Sequence, residues 1–201
     1  MISVLIADDE HLIREAMANL LALEPDLEVA AQAATGPEAV AAAREHRPDV
    51  AVLDLQMPGT DGIAAARAIA RQLPDCKCLI VTSHGLPGHL KRSLEQGLKG
   101  FVPKTVSAAA LADAIRAVHN GGRYIDPALA ADAISVGDSP LSPREADLLA
   151  LAADGDPITE IARRASLAPG TVRNYLSSAV TKLGASNRHS AVHIARSHGW
   201  I

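Results

Sequence analysis

Apolar positions along the first 120 residues fall into short runs separated by stretches of helical spacing. Ile2-Ser3-Val4-Leu5-Ile6-Ala7, Leu27-Glu28-Val29-Ala30-Ala31, Asp49-Val50-Ala51-Val52-Leu53, Lys77 to Val81 and Gly100 to Val102 read as strands. Their near-continuous apolar character is that of strands buried on both faces. Helices are predicted over 37–46, 61–72, 87–96 and 107–119, and after the first strand Leu12, Ala16, Leu20 and Leu23 mark one apolar helix face. Strand and helix alternate five times. This rhythm predicts an α/β domain, a doubly wound parallel sheet with right-handed crossovers and helices on both faces.

The rhythm stops after Asn120-Gly121-Gly122. Residues 121–139, with Pro127, Gly137 and a short helical run between, read as a linker. No strand pattern follows Leu141. Four helices are predicted over 143–153, 158–166, 170–183 and 187–198. Ser142 is placed as N-cap of the first, Pro143 fits its first turn and Glu145 completes a capping box. The domain organisation is therefore 1–120, a linker at 121–139, and a second, all-α domain of four helices at 140–201.

Composition narrows the class. The 201 residues are 48% hydrophobic, enough for a core, and no apolar run reaches the ~18 residues of a membrane span. The N-terminus enters a strand at once, without the basic start of a signal peptide. A cytoplasmic protein with no membrane insertion is expected. Cys76 and Cys78, the two cysteines, share a strand face and lack the further ligands of a zinc site, so they read as ordinary, partly buried thiols. The net charge of −4 is unevenly spread, about −6 over 1–139 and +2 over 140–201. That asymmetry fits a metal-binding half joined to a nucleic-acid binder.

The candidate chemistry lies at the strand ends. Asp8-Asp9, Asp54, Thr82 and Lys104 each stand at or just past the carboxyl end of an apolar run, where open α/β sheets place ligand sites. Adjacent carboxylates facing Asp54 raise one another's pKa unless a cation intervenes, and an oxygen-only set suits Mg²⁺. Asp8-Asp9 alone would serve equally as a helix cap; Asp54, Thr82 and Lys104 at equivalent positions favour one shared site.

Taken in order, Asp8-Asp9, Asp54 followed by Met57-Pro58-Gly59, Thr82, and Phe101 ahead of Lys104 resemble the receiver domain of bacterial two-component response regulators. The resemblance implies the CheY-like fold, a five-stranded sheet of order 2-1-3-4-5. It also implies roles. Asp54 would take a phosphoryl group from a sensor histidine kinase. Asp9, Asp54 and the Gln56 carbonyl would hold Mg²⁺, with Asp8 assisting through water. Lys104 would pair with a phosphoryl oxygen, Thr82 would be drawn toward another, and Phe101, the single Phe, would turn inward behind it. Two positions depart from the pattern: Thr105 rather than Pro follows Lys104, and Pro103 precedes it. A phosphatase of the haloacid-dehalogenase type needs an acid two places after its nucleophile, and Gln56 cannot serve. The chain is therefore expected not to be an enzyme beyond slow autodephosphorylation.

Leu141-Ser142-Pro143-Arg144-Glu145, Glu160-Ile161-Ala162, Gly170-Thr171-Val172-Arg173-Asn174-Tyr175, and Lys182-Leu183-Gly184 before Asn187-Arg188 resemble the LuxR-type helix-turn-helix domain of the NarL/FixJ regulators. The resemblance makes 170–183 the recognition helix. Its spacing turns Val172, Tyr175, Leu176 and Val180 inward and Thr171, Arg173, Asn174 and Ser177 outward, toward the major groove of promoter DNA. Arg173 can reach guanine or phosphate and Asn174 adenine. Thr171 and Lys182 are placed for phosphate, and Tyr175, where His is more usual, for core or phosphate. With Thr159 where Lys is frequent, a monomer would bind weakly, and a homodimer formed on phosphorylation is expected. Relatives pair through the receiver's first and last helices or its last elements. A strip of Ala191, Ile194 and Ala195 offers a second route, and packing within the domain explains it equally. Pro87-Gly88, the 170–175 segment and Gly199-Trp200-Ile201 also resemble the corresponding residues of a regulator of membrane-lipid genes; that resemblance suggests a shared subfamily but does not establish the same targets.

Overall fold

The computed structural model describes residues 1–58, 60–83, 87–137 and 139–201. Strands and helices alternate as β1 (Ile2–Ala7), α1 (His11–Leu21), β2 (Leu27–Ala33), α2 (Gly36–His46), β3 (Val50–Asp54), α3 (Gly62–Gln72), β4 (Lys77–Thr82), α4 (Pro87–Glu95), β5 (Gly100–Pro103) and α5 (Ala108–His119). A short β6 (Tyr124–Ile125) and α6 (Pro127–Val136) follow. The chain separates into two compact units, the first built from Met1–Gly85 and His89–Ala131 and the second essentially Asp132–Ile201.

All the strands pair in parallel, in the order β2-β1-β3-β4-β5-β6. The expected order 2-1-3-4-5 is present with a sixth strand added at the edge. β6 lies within the stretch read as linker. Two residues are too short to carry a period, yet Tyr124 N–H donates to the Lys99 carbonyl at 2.9 Å and Asp126 N–H to that of Phe101 at 3.1 Å.

Strand alternation divides the core between the two faces. Val4, Ile6, Val50, Val52, Leu79, Val81 and Val102 form one layer, closed by Leu21 of α1 and Leu111, Ile115 and Val118 of α5. Leu5, Leu53, Ile80 and Phe101 are buried on the other. Thr35, Asp61 and Ser107 start α2, α3 and α5 by accepting third-position N–H groups from Glu38, Ala64 and Ala110. Cys76 and Cys78 are buried free thiols.

α1 turns inward a side other than the one its leucines mark. Ala18 and Leu21 are buried and Met17 packs on the core. Leu12 is 77% exposed, Leu20 46% and Leu23, beyond the helix end, 78%. Both sides of this helix are apolar, so periodicity could not choose between them; the sheet takes Met17, Ala18 and Leu21.

In the second unit α7 (Pro143–Leu151) is followed by a short 3-10 turn, α8 (Ile158–Ala165), α9 (Pro169–Lys182) and α10 (Arg188–Ser197). Leu148, Leu149, Ile161, Val172, Leu176, Ala179, Ala191 and Ala195 form its core. The Ser142–Glu145 capping box is present. Ala191 and Ala195 are wholly buried in that core, so the strip offered for pairing of α10 is taken up within the unit. No helix among the described residues is long and apolar enough to cross a membrane.

Candidate functional site: an acidic cluster and a helix-turn-helix

Three main-chain hydrogen bonds bring the strand ends together. Asp8 N–H donates to the Ala33 carbonyl at 3.1 Å, Leu55 N–H to that of Val81 at 2.9 Å and Lys104 N–H to that of Thr82 at 2.8 Å. The parallel register then sets Asp54 beside Val81 and Thr82 beside Pro103. α3 begins against the end of β3. A Cβ at Gly62 would overlap the Asp54 carbonyl and crowd Leu55, so only glycine allows this approach to the site. Gly59 of the motif after Asp54 lies outside the described residues.

Carboxylate oxygens of Asp8, Asp9 and Asp54 lie within 4.8 Å of one another. Asp8 and Asp54 are buried, whereas Asp9 faces solvent. The Lys104 ammonium, 8% exposed, stands 2.8 Å from Asp8 Oδ2 and 3.2 Å from Asp54 Oδ2. Asp8 Oδ2 has this charge beside it but no aligned hydrogen-bond donor. A buried oxygen so placed still has room in its electrostatics for a cation, and the all-oxygen donor set fits a hard divalent ion.

Burial pushes the Asp54 carboxyl above its ordinary pKa; Lys104 opposes this and the Asp8 charge adds to it. A Gln56 N–H bond also draws it down. Burial works against the Lys104 charge, yet the Asp8, Glu10 and Asp54 carboxylates around it outweigh it and hold the ammonium firmly protonated. Thr82 and Phe101 are both buried. The Phe101 ring, expected to turn inward, is already inside. All peptide bonds between described residues are trans, the one at Pro103 included.

Two participants escaped the sequence reading. Arg14 Nη1 donates to the Asp8 carbonyl at 2.6 Å. Glu10 Oε1 lies 3.0 Å from Lys104 Nζ. The run Asp8-Asp9-Glu10 hinted at the second; nothing in the sequence pointed to Arg14.

On α9 the expected outward residues Thr171, Arg173, Asn174 and Ser177 are exposed. Val172 and Leu176 are buried; Tyr175 and Val180 are half-buried against the core, with Ala179 fully inside. α8 ends at Ser166 in the left-handed region, φ 55°, and the turn leads directly into Pro169. Lys182 is 41% exposed with its ammonium 2.7 Å from Glu145. Other cations of this unit are also engaged, Arg163 by Glu160 and Arg164 by Asp156, both at 2.6 Å. Arg173 has no partner among the described residues, so its guanidinium is free for a ligand.

Known proteins share both halves. The response regulator receiver domain family matches residues 4–116, and the bacterial regulatory proteins of the luxR family match 139–195. The transcriptional regulatory protein DesR of Bacillus subtilis (strain 168) is 40% identical over 203 residues, covering 100% of both chains. The response regulator RamR of Streptomyces coelicolor is 36% identical, covering 100% of this chain and 98% of its own. Among solved structures, the two-component response regulator RcsB in complex with DNA superposes with a TM-score of 0.70 at 26% identity over 98% of each chain.

Proposed function

The chain belongs to the bacterial response regulators that join a receiver domain to a LuxR-family DNA-binding domain, and on that premise we propose that Asp54 accepts a phosphoryl group from a sensor histidine kinase and that its phosphorylation raises affinity for promoter DNA. The observation that carries this reading is the convergence of Asp8, Asp9, Asp54 and Lys104 at the strand ends. An Asp54 carboxylate oxygen forms the O–P bond as the N–P bond of the phosphohistidine breaks, and the released imidazole takes up a proton. Asp9, Asp54 and the Gln56 carbonyl would hold Mg²⁺, with Asp8 through water. The ion would offset the charge of the incoming phosphoryl. Lys104 pairs with one phosphoryl oxygen and Thr82 hydrogen-bonds another, while Phe101 packs behind Thr82 and keeps the inward position.

In a cytoplasmic protein of this kind, the receiver (1–120, its sheet completed by β6 of the 121–139 segment) and the output domain (140–201) divide the labour. Arg173 and Asn174 read base edges; Thr171, Tyr175 and Ser177 meet the backbone. Lys182 adds to phosphate only so far as Glu145 shares it. Dimerisation joins two weak half-site binders. The exposed Leu12, Ala16 and Leu20, beside a groove lined by Met17, Val106 and Leu111, support pairing through α1 and α5. The subfamily resemblance extends the reading to membrane-lipid genes as targets, which DNA capture from the source genome tests. The site itself is tested by labelling with acetyl phosphate and Mg²⁺: label on the unmodified chain and none on Asp54→Ala supports it, and label that persists on Asp54→Ala overturns it.

A further inference from the structure

Glu10 makes an interaction that phosphoryl acceptance at Asp54 does not use. It occupies the N-cap position of α1, yet its side chain caps no N–H of the helix. Its own N–H is held by Asp8 Oδ1 at 2.9 Å. Its carboxylate instead reaches Lys104, 94 residues away in sequence, at 3.0 Å. The ammonium has three N–H donors. Glu10 accepts one of them at 3.0 Å, while Asp8 and Asp54 stand at 2.8 and 3.2 Å as ion-pair partners. A phosphoryl group arriving at Asp54 replaces that carboxylate's charge and competes with the remaining anions, Glu10 and Asp8, for the same cation. Asp8 and Asp54 are buried at strand ends, whereas the Glu10 side chain is 57% exposed and can rotate into water.

We propose that Glu10 is a positioning residue that restrains phosphorylation: it holds Lys104 in the unphosphorylated protein and competes for it with a phosphoryl group at Asp54. The proposal rests on the phosphoryl-acceptor reading of Asp54. Its logic is competition between two anions for one cation. Removing the Glu10 charge frees the lysine for the phosphoryl group, but also removes a negative charge beside the metal ligands. Glu10→Gln therefore shifts the two affinities in opposite directions, which damage to the fold would not do.

The test is calorimetric titration of the full chain with Mg²⁺ alone, and with beryllofluoride at saturating Mg²⁺. Glu10→Gln is expected to bind beryllofluoride about two- to fivefold more tightly, the range of a largely exposed ion pair, and Mg²⁺ alone more weakly. In a Lys104→Gln background the same change is expected to lose its effect on beryllofluoride, as a double-mutant cycle requires. Unchanged beryllofluoride affinity, a fall in both affinities, or the same gain without Lys104 would overturn the proposal. If the unmodified chain binds no beryllofluoride, the Asp54 reading fails and this one with it.

Discussion

Glu145 joins the start of α7 to α9 through a single carboxylate. Oε2 accepts from Ser142 N–H and from Lys182, both at 2.7 Å, and Oε1 from Ser178 at 2.6 Å. The Lys182 and Ser178 bonds draw its pKa down from 4.5 to about 2. A depressed acid stabilises the fold fully above the unfolded value, and the gain is lost as pH falls from about 4.5 toward 2. Glu145→Gln is thus expected to cost about 1–3 kcal/mol at pH 7, the scale of hydrogen bonds to a charged group. The deficit should shrink steadily below pH 4.5. Trp200, the single tryptophan, packs on this core, and its fluorescence in urea titrations reports the difference. A deficit independent of pH would assign the cost to packing instead. At this scale the sequence exposed whatever chain position alone determines. Asp54, Thr82 and Lys104 were visible because each ends an apolar run. The capping box was visible because it is local. Glu10 on Lys104 and Lys182 on Glu145 were not, since each pair joins residues far apart in the chain and the choice of partner belongs to the packed structure.

The helices divide into those whose exposed face is explained by the fold and those whose face is not. α1 is of the second kind, with Leu12 and Leu20 in solvent. Leu20→Glu is expected to leave monomer stability within about 0.5 kcal/mol, as for other surface changes, and to abolish dimers formed with beryllofluoride and Mg²⁺ in light scattering. Dimers that persist would move the interface elsewhere. α9 presents few unpaired cations, because Lys182 serves Glu145 while α8 pairs its own arginines. Each neutralised phosphate adds about −0.9 to the slope of log affinity against log salt. The slope for a dimer is therefore expected to be no steeper than about −5, and Arg173→Ala is expected to cost about 1–3 kcal/mol of binding at one position of the half-site. An equal loss on all sequences would make Arg173 a phosphate contact. Long, regular elements were readable from periodicity to within a residue or two. β6 was not, because it exists only through pairing with β5. The inward side of α1 was not, because two apolar faces compete and the sheet decides.

Two units in one chain make a relay only if chemistry at the first changes binding by the second. A change from mostly inactive to mostly active requires about 5.5 kcal/mol of preference for the active state. On the proposed function, a phosphoryl group acting on Lys104 and Thr82 would supply part of it and dimer contacts on α1 and α5 the rest. The division into an acidic sheet domain and a mildly basic helical one was readable from alternation and charge; the energetic link between them was not, because it depends on two states of the same sequence. The most direct measurement is promoter-fragment binding at fixed salt by the unmodified chain and by Asp54→Ala, each with and without acetyl phosphate and Mg²⁺. The expected result is an affinity that rises at least about tenfold, or 1.4 kcal/mol, on phosphorylation of the unmodified chain and does not change in Asp54→Ala. Equal affinity in all four samples, or a rise that survives in Asp54→Ala, would contradict the account.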